Sequence, residues 1–225
     1  MKKLLIALLV SFAFQVNAQD VAQTVTAQRF RIGVQGGFSR LLAKTSDAVP
    51  TEFRDHVSAL KSGYHYGADV SYFIKPTWGL GVKFNQFRSS NSIMVYDEMM
   101  IPQGEAKTTL VNSFIGPSFA TKYDSPNSKH VFLFNVAIGY MAYLSDTDAM
   151  RVKTTGGTVG SAIDAGYDYR IIKHFALGAQ VSLVGGVLSK LTYERGNMSV
   201  TETLPDGQKE SMTRLDFSLG ARFNF

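Results

Sequence analysis

The titratable side chains of this sequence are poorly spaced for catalysis. Its four histidines, His56, His65, His130 and His174, stand far apart, and none shares the His-x-x-x-His spacing that lets two imidazoles hold one metal. Cysteine is absent, which removes thiolate nucleophiles, soft-metal ligands and disulfides together. Asp146 and Asp148 share a polar connection, where a solvated loop is the plain reading and a weak cation site the sharper one. Asn197-Met198-Ser199 fits a glycosylation pattern that three residues match readily by chance. These residue types therefore predict no catalytic residue, no metal site and no cofactor.

One set of charges does have order. Arg31, Asp69, Lys83, Asp164, Asp168, Asp216 and Arg222 each lie in a stretch with an apolar residue at every second position, and each falls on the polar side. Charges of both signs gathered on one face can pair inside a narrow space. Alternatively, they line a small-solute path. The elements that carry them decide between these readings.

The stretch LDFSLGARFNF (Leu215 to Phe225) shows the pattern most clearly. Leu215, Phe217, Leu219, Ala221, Phe223 and Phe225 alternate with Asp216, Ser218, Gly220, Arg222 and Asn224, so one strand face meets apolar matter and the other polar. The same period appears seven more times. Strands are predicted over residues 29–40, 63–74, from 78 onward, 108–122, 130–144, 158–171 and 175–189, with the last at 215–225. Pro117 interrupts the fourth, and a bulge there would reconcile it with a strand. Connections alternate long (residues 41–62, 88–107, 145–157, 190–212) with short (75–77, 124–128, 172–174). In the first long connection Phe53, Val57 and Leu60 recur at helical spacing after Pro50-Thr51, predicting a short surface helix that caps one mouth and stops at Gly63. In the fourth, Pro205-Asp206-Gly207 is a turn sequence.

Such a chain is expected to be all-β: an eight-stranded antiparallel up-and-down transmembrane barrel with short periplasmic turns and long extracellular loops. A soluble eight-stranded barrel would instead point its apolar residues into a ligand cavity. The charges favour the membrane form, because the face opposite them is almost free of charge along every strand. Trp78, Tyr72, Tyr140 and Tyr169 are expected at the lipid interfaces. Met1-Lys2-Lys3, the apolar run Leu4 to Phe14 and the exit Val16-Asn17-Ala18 predict a secretory signal peptide over residues 1–18. A periplasmic lead-in over 19–28 and the barrel domain over 29–225 would follow. Removing the leader takes the net charge from +5 to +3 with no basic stripe, which argues against nucleic acid.

The leader, the eight strands, KSGYHYGADVSYFI (Lys61 to Ile74), Gly116-Pro117 and the closing LDFSLGARFNF together resemble the Bacteroidota "porin family" outer-membrane β-barrel domain, a small OmpA/OmpX-like barrel. The resemblance spans essentially the whole exported chain. It implies the outer membrane as location, its lipid as surroundings and both termini in the periplasm. It also implies that the barrel-insertion machinery reads Phe217, Leu219, Phe223 and Phe225. Small barrels of this kind include lipid-A deacylases and palmitoyl transferases, but no His-x-Ser pair lies on a strand here. Eight strands enclose a lumen that side chains can fill, whereas aqueous channels need about 16 strands. The function expected is structural or a surface interaction with an envelope or extracellular partner through the loops, with a plugged lumen. A narrow solute channel and a lipid-modifying enzyme are the alternatives.

Overall fold

The computed structural model describes residues 28–43, 50–96, 102–148, 152–196, 198–205 and 209–225. The expected signal peptide, nearly all of the lead-in, Asn197 and Asp206-Gly207 lie outside the described residues. In chain order the elements are β1 (Phe30–Leu41), α1 (Thr51–Leu60), β2 (Ser62–Lys75), β3 (Trp78–Tyr96), β4 (Pro102–Asp124) and β5 (His130–Thr147). They continue with β6 (Val152–Ile172), β7 (Phe175–Leu188), β8 (Lys190–Arg195), β9 (Met198–Thr203), β10 (Glu210–Ser211) and β11 (Arg214–Asn224).

Eight of these strands close a ring in the order β1, β2, β3, β4, β5, β6, β7, β11, each antiparallel to its neighbours, with β11 paired back onto β1. The seam includes Phe225, whose N–H donates to the Phe30 carbonyl (2.8 Å) while the Phe30 N–H donates to the Phe225 carbonyl (2.9 Å). Register fixes the shape of the barrel. From Arg31 the paired residues run Ser71, Gly81, Ser118, Ala137, Ala162, Val184 and Arg214, and the circuit returns to β1 at Leu41, ten residues above its start. With ordinary strand rise and spacing, that shear tilts eight strands by about 40° and gives a backbone radius of about 8 Å. A cylinder so narrow has room for side chains and little else.

Alternation places the residues as the sequence predicts. Val34, Phe38, Tyr66, Val70, Leu80, Val82, Ile115, Phe132, Ile138, Leu177 and Leu219 are exposed on the outer wall, while the residues between them are covered. Pro117 needs no bulge. It stands opposite Val82, and the β4–β5 register is unchanged on either side of it, at Ile115↔Tyr140 and Ser118↔Ala137. The missing N–H is accommodated where Gly116 and Gly139 let the two backbones approach closely. A Cβ on Gly139 would overlap the Ile115 carbonyl and Gly116 Cα.

The long connections are shorter as loops than the sequence suggests. β3 and β4 stay paired from Arg88↔Val111 to Tyr96↔Pro102, and β5 and β6 as far as Thr147↔Val152. There Ser89, Ser90, Asn91 and Ser92 face Leu110, Thr109, Thr108 and Lys107 in turn, and the apolar alternation that marks the lower strands is gone. The fourth connection folds into the β8–β9 hairpin, which reverses at Gly196 (φ 58°) between Arg195 and Met198, ahead of the Pro205 turn sequence. β8 also pairs with the upper end of β6, from Val152↔Arg195 to Thr155↔Thr192. Helix α1 forms where expected but ends at Leu60, with Lys61 as its C-cap and Gly63 already in β2. It leans on the β3–β4 extension, where Ser89 Oγ donates to the Leu60 carbonyl (2.6 Å) and His56 bonds Asn91 (3.1 Å) and Thr108 (3.2 Å).

Candidate functional site

The lumen and the loop end of the barrel are the two places where this chain concentrates polar side chains. All seven charged residues placed on one face by the alternation are buried in the lumen, and the structure adds Arg214, also fully buried. Arg31, Lys83, Arg214 and Arg222 therefore meet Asp69, Asp164, Asp168 and Asp216, a formally neutral set of four cations and four carboxylates. In a medium this poor in water, such a set is tolerable only when paired.

Pairing runs in three tiers from the turn end upward. In the lowest, Arg31 bridges Asp69 and Asp168 (3.1 Å), and Arg222 approaches Asp168 (3.5 Å) while donating to the Val34 carbonyl (3.0 Å). In the middle, Lys83 Nζ donates to both oxygens of Asp164 (2.8 Å each), and Asn135 adds a third bond (3.1 Å). In the upper tier, Asp216 accepts from Ser39 (2.6 Å), Asn85 (3.1 Å) and Arg214 Nε (3.3 Å), and Arg214 also reaches Asn85 Oδ1 (2.6 Å). His65 lies between Ser39 (2.7 Å, Nδ1) and Ser218 (2.7 Å, Nε2). With Ser39 donating to Asp216, the consistent assignment has Nδ1–H donating to Ser39 and Ser218 donating to Nε2. A serine, an imidazole and a carboxylate are thus joined through a second serine, but all four side chains are buried.

Buried apolar side chains lie in the lumen toward both of its ends. At the loop end Phe114, Met141, Ala162, Val184, Leu188, Leu191 and Met212 form one buried cluster, with Tyr143, Tyr193 and Leu204 packed on it and Phe87 also buried. Burial, then the nearby Glu202 and Glu210 carboxylates, raises the Tyr193 phenol above its ordinary value, so it stays neutral there. At the turn end Phe73, Ala120 and Leu133 make the second cluster, with Lys122 Nζ 4.4 Å from the centre of the Phe73 ring. Alternation could have flagged these inward apolar residues. Arg214, one residue before the start assigned to the last strand, continues the polar alternation and would have been found by extending that strand by one residue.

Outside, the aromatic residues fall into two levels. Phe30, Tyr72, Trp78, Phe132, Tyr169 and Phe223 ring the turn end, where Trp78 stacks on Phe119 (centroids 5.9 Å apart, 29° between planes). Phe38, Tyr64, Tyr66, Tyr140 and Phe217 ring the other end of the same wall. Eight residues separate Tyr64 from Tyr72 on one strand, and the pair spans about 20 Å along the axis at this tilt. Phe217, Leu219, Phe223 and Phe225 all point outward from the seam region.

The outer membrane protein beta-barrel domain family matches residues 6–202, and the chain belongs to it. No curated protein matches the sequence. Among solved structures, the outer membrane protein OprG from Pseudomonas aeruginosa is similar at a TM-score of 0.50 and 13% identity, over 88% of this chain and 97% of that one. The outer membrane protease OmpT from Escherichia coli aligns at a TM-score of 0.48 and 7% identity, over 92% and 100%. The attachment invasion locus protein Ail of Yersinia pestis aligns at 0.43 and 13%, over 88% and 99%. At these identities the likeness to OprG is one of fold.

Proposed function

We propose that this protein is a sealed outer-membrane barrel whose loop-end strands bind an extended segment of another envelope or extracellular protein. The observation that carries this reading is the β8–β9 hairpin. Among the described residues β9 pairs with β8 alone, and all six of its residues are exposed, including Met198 and Val200. An open edge presents a row of unpaired N–H and C=O groups to which a partner strand can add. Loops on a rigid scaffold are where binding usually resides. We set the loop end outside the cell and both termini in the periplasm, as in small barrels with short turns on one side. Kinship with the Bacteroidota "porin family" rests on the sequence motifs and agrees with this.

A narrow solute path is the second reading, favoured by Gln35 and Asn112, whose buried amides have no protein partner for either atom. The apolar clusters above and below them weigh against it. Lipid modification is the third. Ser218 and His65 have the contact it would need, but their burial in the lumen keeps them from lipid.

The test places a photo-reactive side chain at Met198 on living cells and introduces Val200→Pro and Thr201→Pro in turn. Neighbouring residues direct their N–H groups to opposite sides, so one variant blocks the open edge and the other disturbs pairing with β8. A crosslinked partner that disappears in the edge variant, with the heat-dependent gel shift of the folded barrel unchanged, supports the reading. Identical crosslinking in both variants sinks it.

A further inference from the structure

Where the outer wall meets the loop end, β1, β2 and β3 carry Arg40, Tyr64 and Arg88 side by side. Phe38 stands opposite Tyr64, Tyr64 opposite Arg88, and Arg40 is the next outward residue above Phe38. The ten-residue shear puts Arg40 and Arg88 at the same height, about 25 Å above the level of Phe30, Tyr72 and Trp78. That is the height of the apolar band on barrels of this type. By the same arithmetic their Cα atoms lie about 12 Å apart, close enough for two guanidinium groups to converge over Tyr64.

The surroundings of the two arginines are one-sided. Below them the wall is apolar, with Phe38, Val34, Val70 and Val82 exposed. Above them it turns mainly to serine, at Ser62, Ser90 and Ser92, with Leu42 and Met94 also exposed there. Both side chains are exposed, and neither has an ion-pair or hydrogen-bond partner among the described residues. No carboxylate lies on the outward face of β1 to β4 below Glu105 among the described residues. Two unpaired guanidinium forks fixed at the rim of an apolar wall match a ligand with phosphate above and hydrocarbon below.

We propose that Arg40 and Arg88 bind the phosphate of a lipid headgroup in the leaflet at the loop end, with the lipid's chains lying on Phe38, Tyr66 and Val34. A free phosphate ion would gain the same two cations but none of the wall, and exposed charge pairs alone are weak. The inference rests on the barrel spanning a bilayer, not on β9 or on which end faces outward.

The test uses the refolded barrel in micelles doped with a bisphosphorylated glycolipid of the lipid A type, with retained lipid counted by native mass spectrometry. Micelles have no sidedness and contain no protein partner, so failure here is separate from failure of the proposed surface role. Wild type should retain the lipid, and the R40Q/R88Q variant should bind it roughly 30-fold more weakly at low salt. The dephosphorylated glycolipid should fall to the level of that variant, and millimolar inorganic phosphate should leave the complex intact. Lys129→Gln, at the turn end, should retain lipid as wild type does. Equal retention by R40Q/R88Q with an unchanged gel shift overturns the assignment, as does equal binding of dephosphorylated lipid. Displacement by phosphate would mark a free-anion site, and loss in Lys129→Gln would mark unspecific charge attraction. Either result also overturns the lipid site.

Discussion

Lys83 on β3 reaches across the lumen and donates to both carboxylate oxygens of Asp164 on β6, 2.8 Å from each, with neither residue open to solvent. The two strands are not neighbours in the ring, so the pair ties walls that no backbone ladder connects. Around it Arg31 and Arg222 reach Asp168 on β6 across the lumen as well, while Asp69 pairs with Arg31 on the neighbouring strand and Asp216 with Arg214 on its own.

Removing one partner of such a pair leaves the other charge buried alone. Lys83→Met should cost about 3–5 kcal/mol, whereas the double variant K83M/D164L should recover most of that loss. The recovery falls short by the bond Asn135 now makes to Asp164, about 1 kcal/mol. Urea unfolding in lipid vesicles, followed by the gel shift of the folded form, measures all three. A single variant as stable as wild type would mean that water reaches the pair.

If, as proposed, the two apolar clusters seal the lumen, folded wild-type protein should give no stable conductance steps in a planar bilayer. Opening the path requires both ends. Phe73→Ala combined with F114A and M141A should produce small steps, well below those of barrels with about 16 strands. Steady wild-type steps that shift when Lys83 and Arg222 are neutralised would show the lumen to be open.

Much of this was readable from the order of residues alone, because a strand with lipid on one side and a packed lumen on the other must alternate. That constraint exposed the eight strands and the inward ring of charges; the helix showed separately, in the helical spacing of Phe53, Val57 and Leu60. The alternation lapses wherever both faces meet water. Ser89 to Ser92 and Glu105 to Lys107 look like loop and are strand, and the β8–β9 hairpin shows only Leu191, Tyr193, Met198 and Val200 as apolar residues in a polar stretch. Pairing partners were equally hidden. Nothing near Ser39 in the sequence announces Asp216, 177 residues away, and only closure of the ring brings them to 2.6 Å. Phe87, Phe114 and Met141 were overlooked for a different reason. Large apolar residues on the charged face break the simple rule of polar inside, and they do so because a cylinder of about 8 Å radius has to be filled.

Gly116 and Gly139 face each other at the point where Pro117 interrupts the β4 ladder. Gly139→Val should prevent formation of the heat-shifted folded species, because its side chain has to enter the space of the Ile115 carbonyl. Pro117→Val, at an exposed outward position opposite Val82, should fold at least as well as wild type. Gly139→Val folding normally would mean that the strands can separate there, and that the close approach is not required.

Trp78 is the only tryptophan in the chain, so its fluorescence reports one place on the barrel. It begins β3 directly after the turn at residues 76–77, half-buried and stacked on Phe119, level with Tyr72 and Phe30. An indole at that level should sit where headgroups meet chains, its ring in hydrocarbon and its N–H near water. In vesicles, quenchers attached near the headgroup should therefore reduce its emission more than quenchers at the chain ends. The emission should also lie to the blue of that from urea-unfolded protein. The same depth fixes everything above it. If chain-end quenchers proved the stronger, the apolar band would have to begin below Trp78. Arg40 and Arg88, about 25 Å further along the axis, would then stand clear of any lipid headgroup.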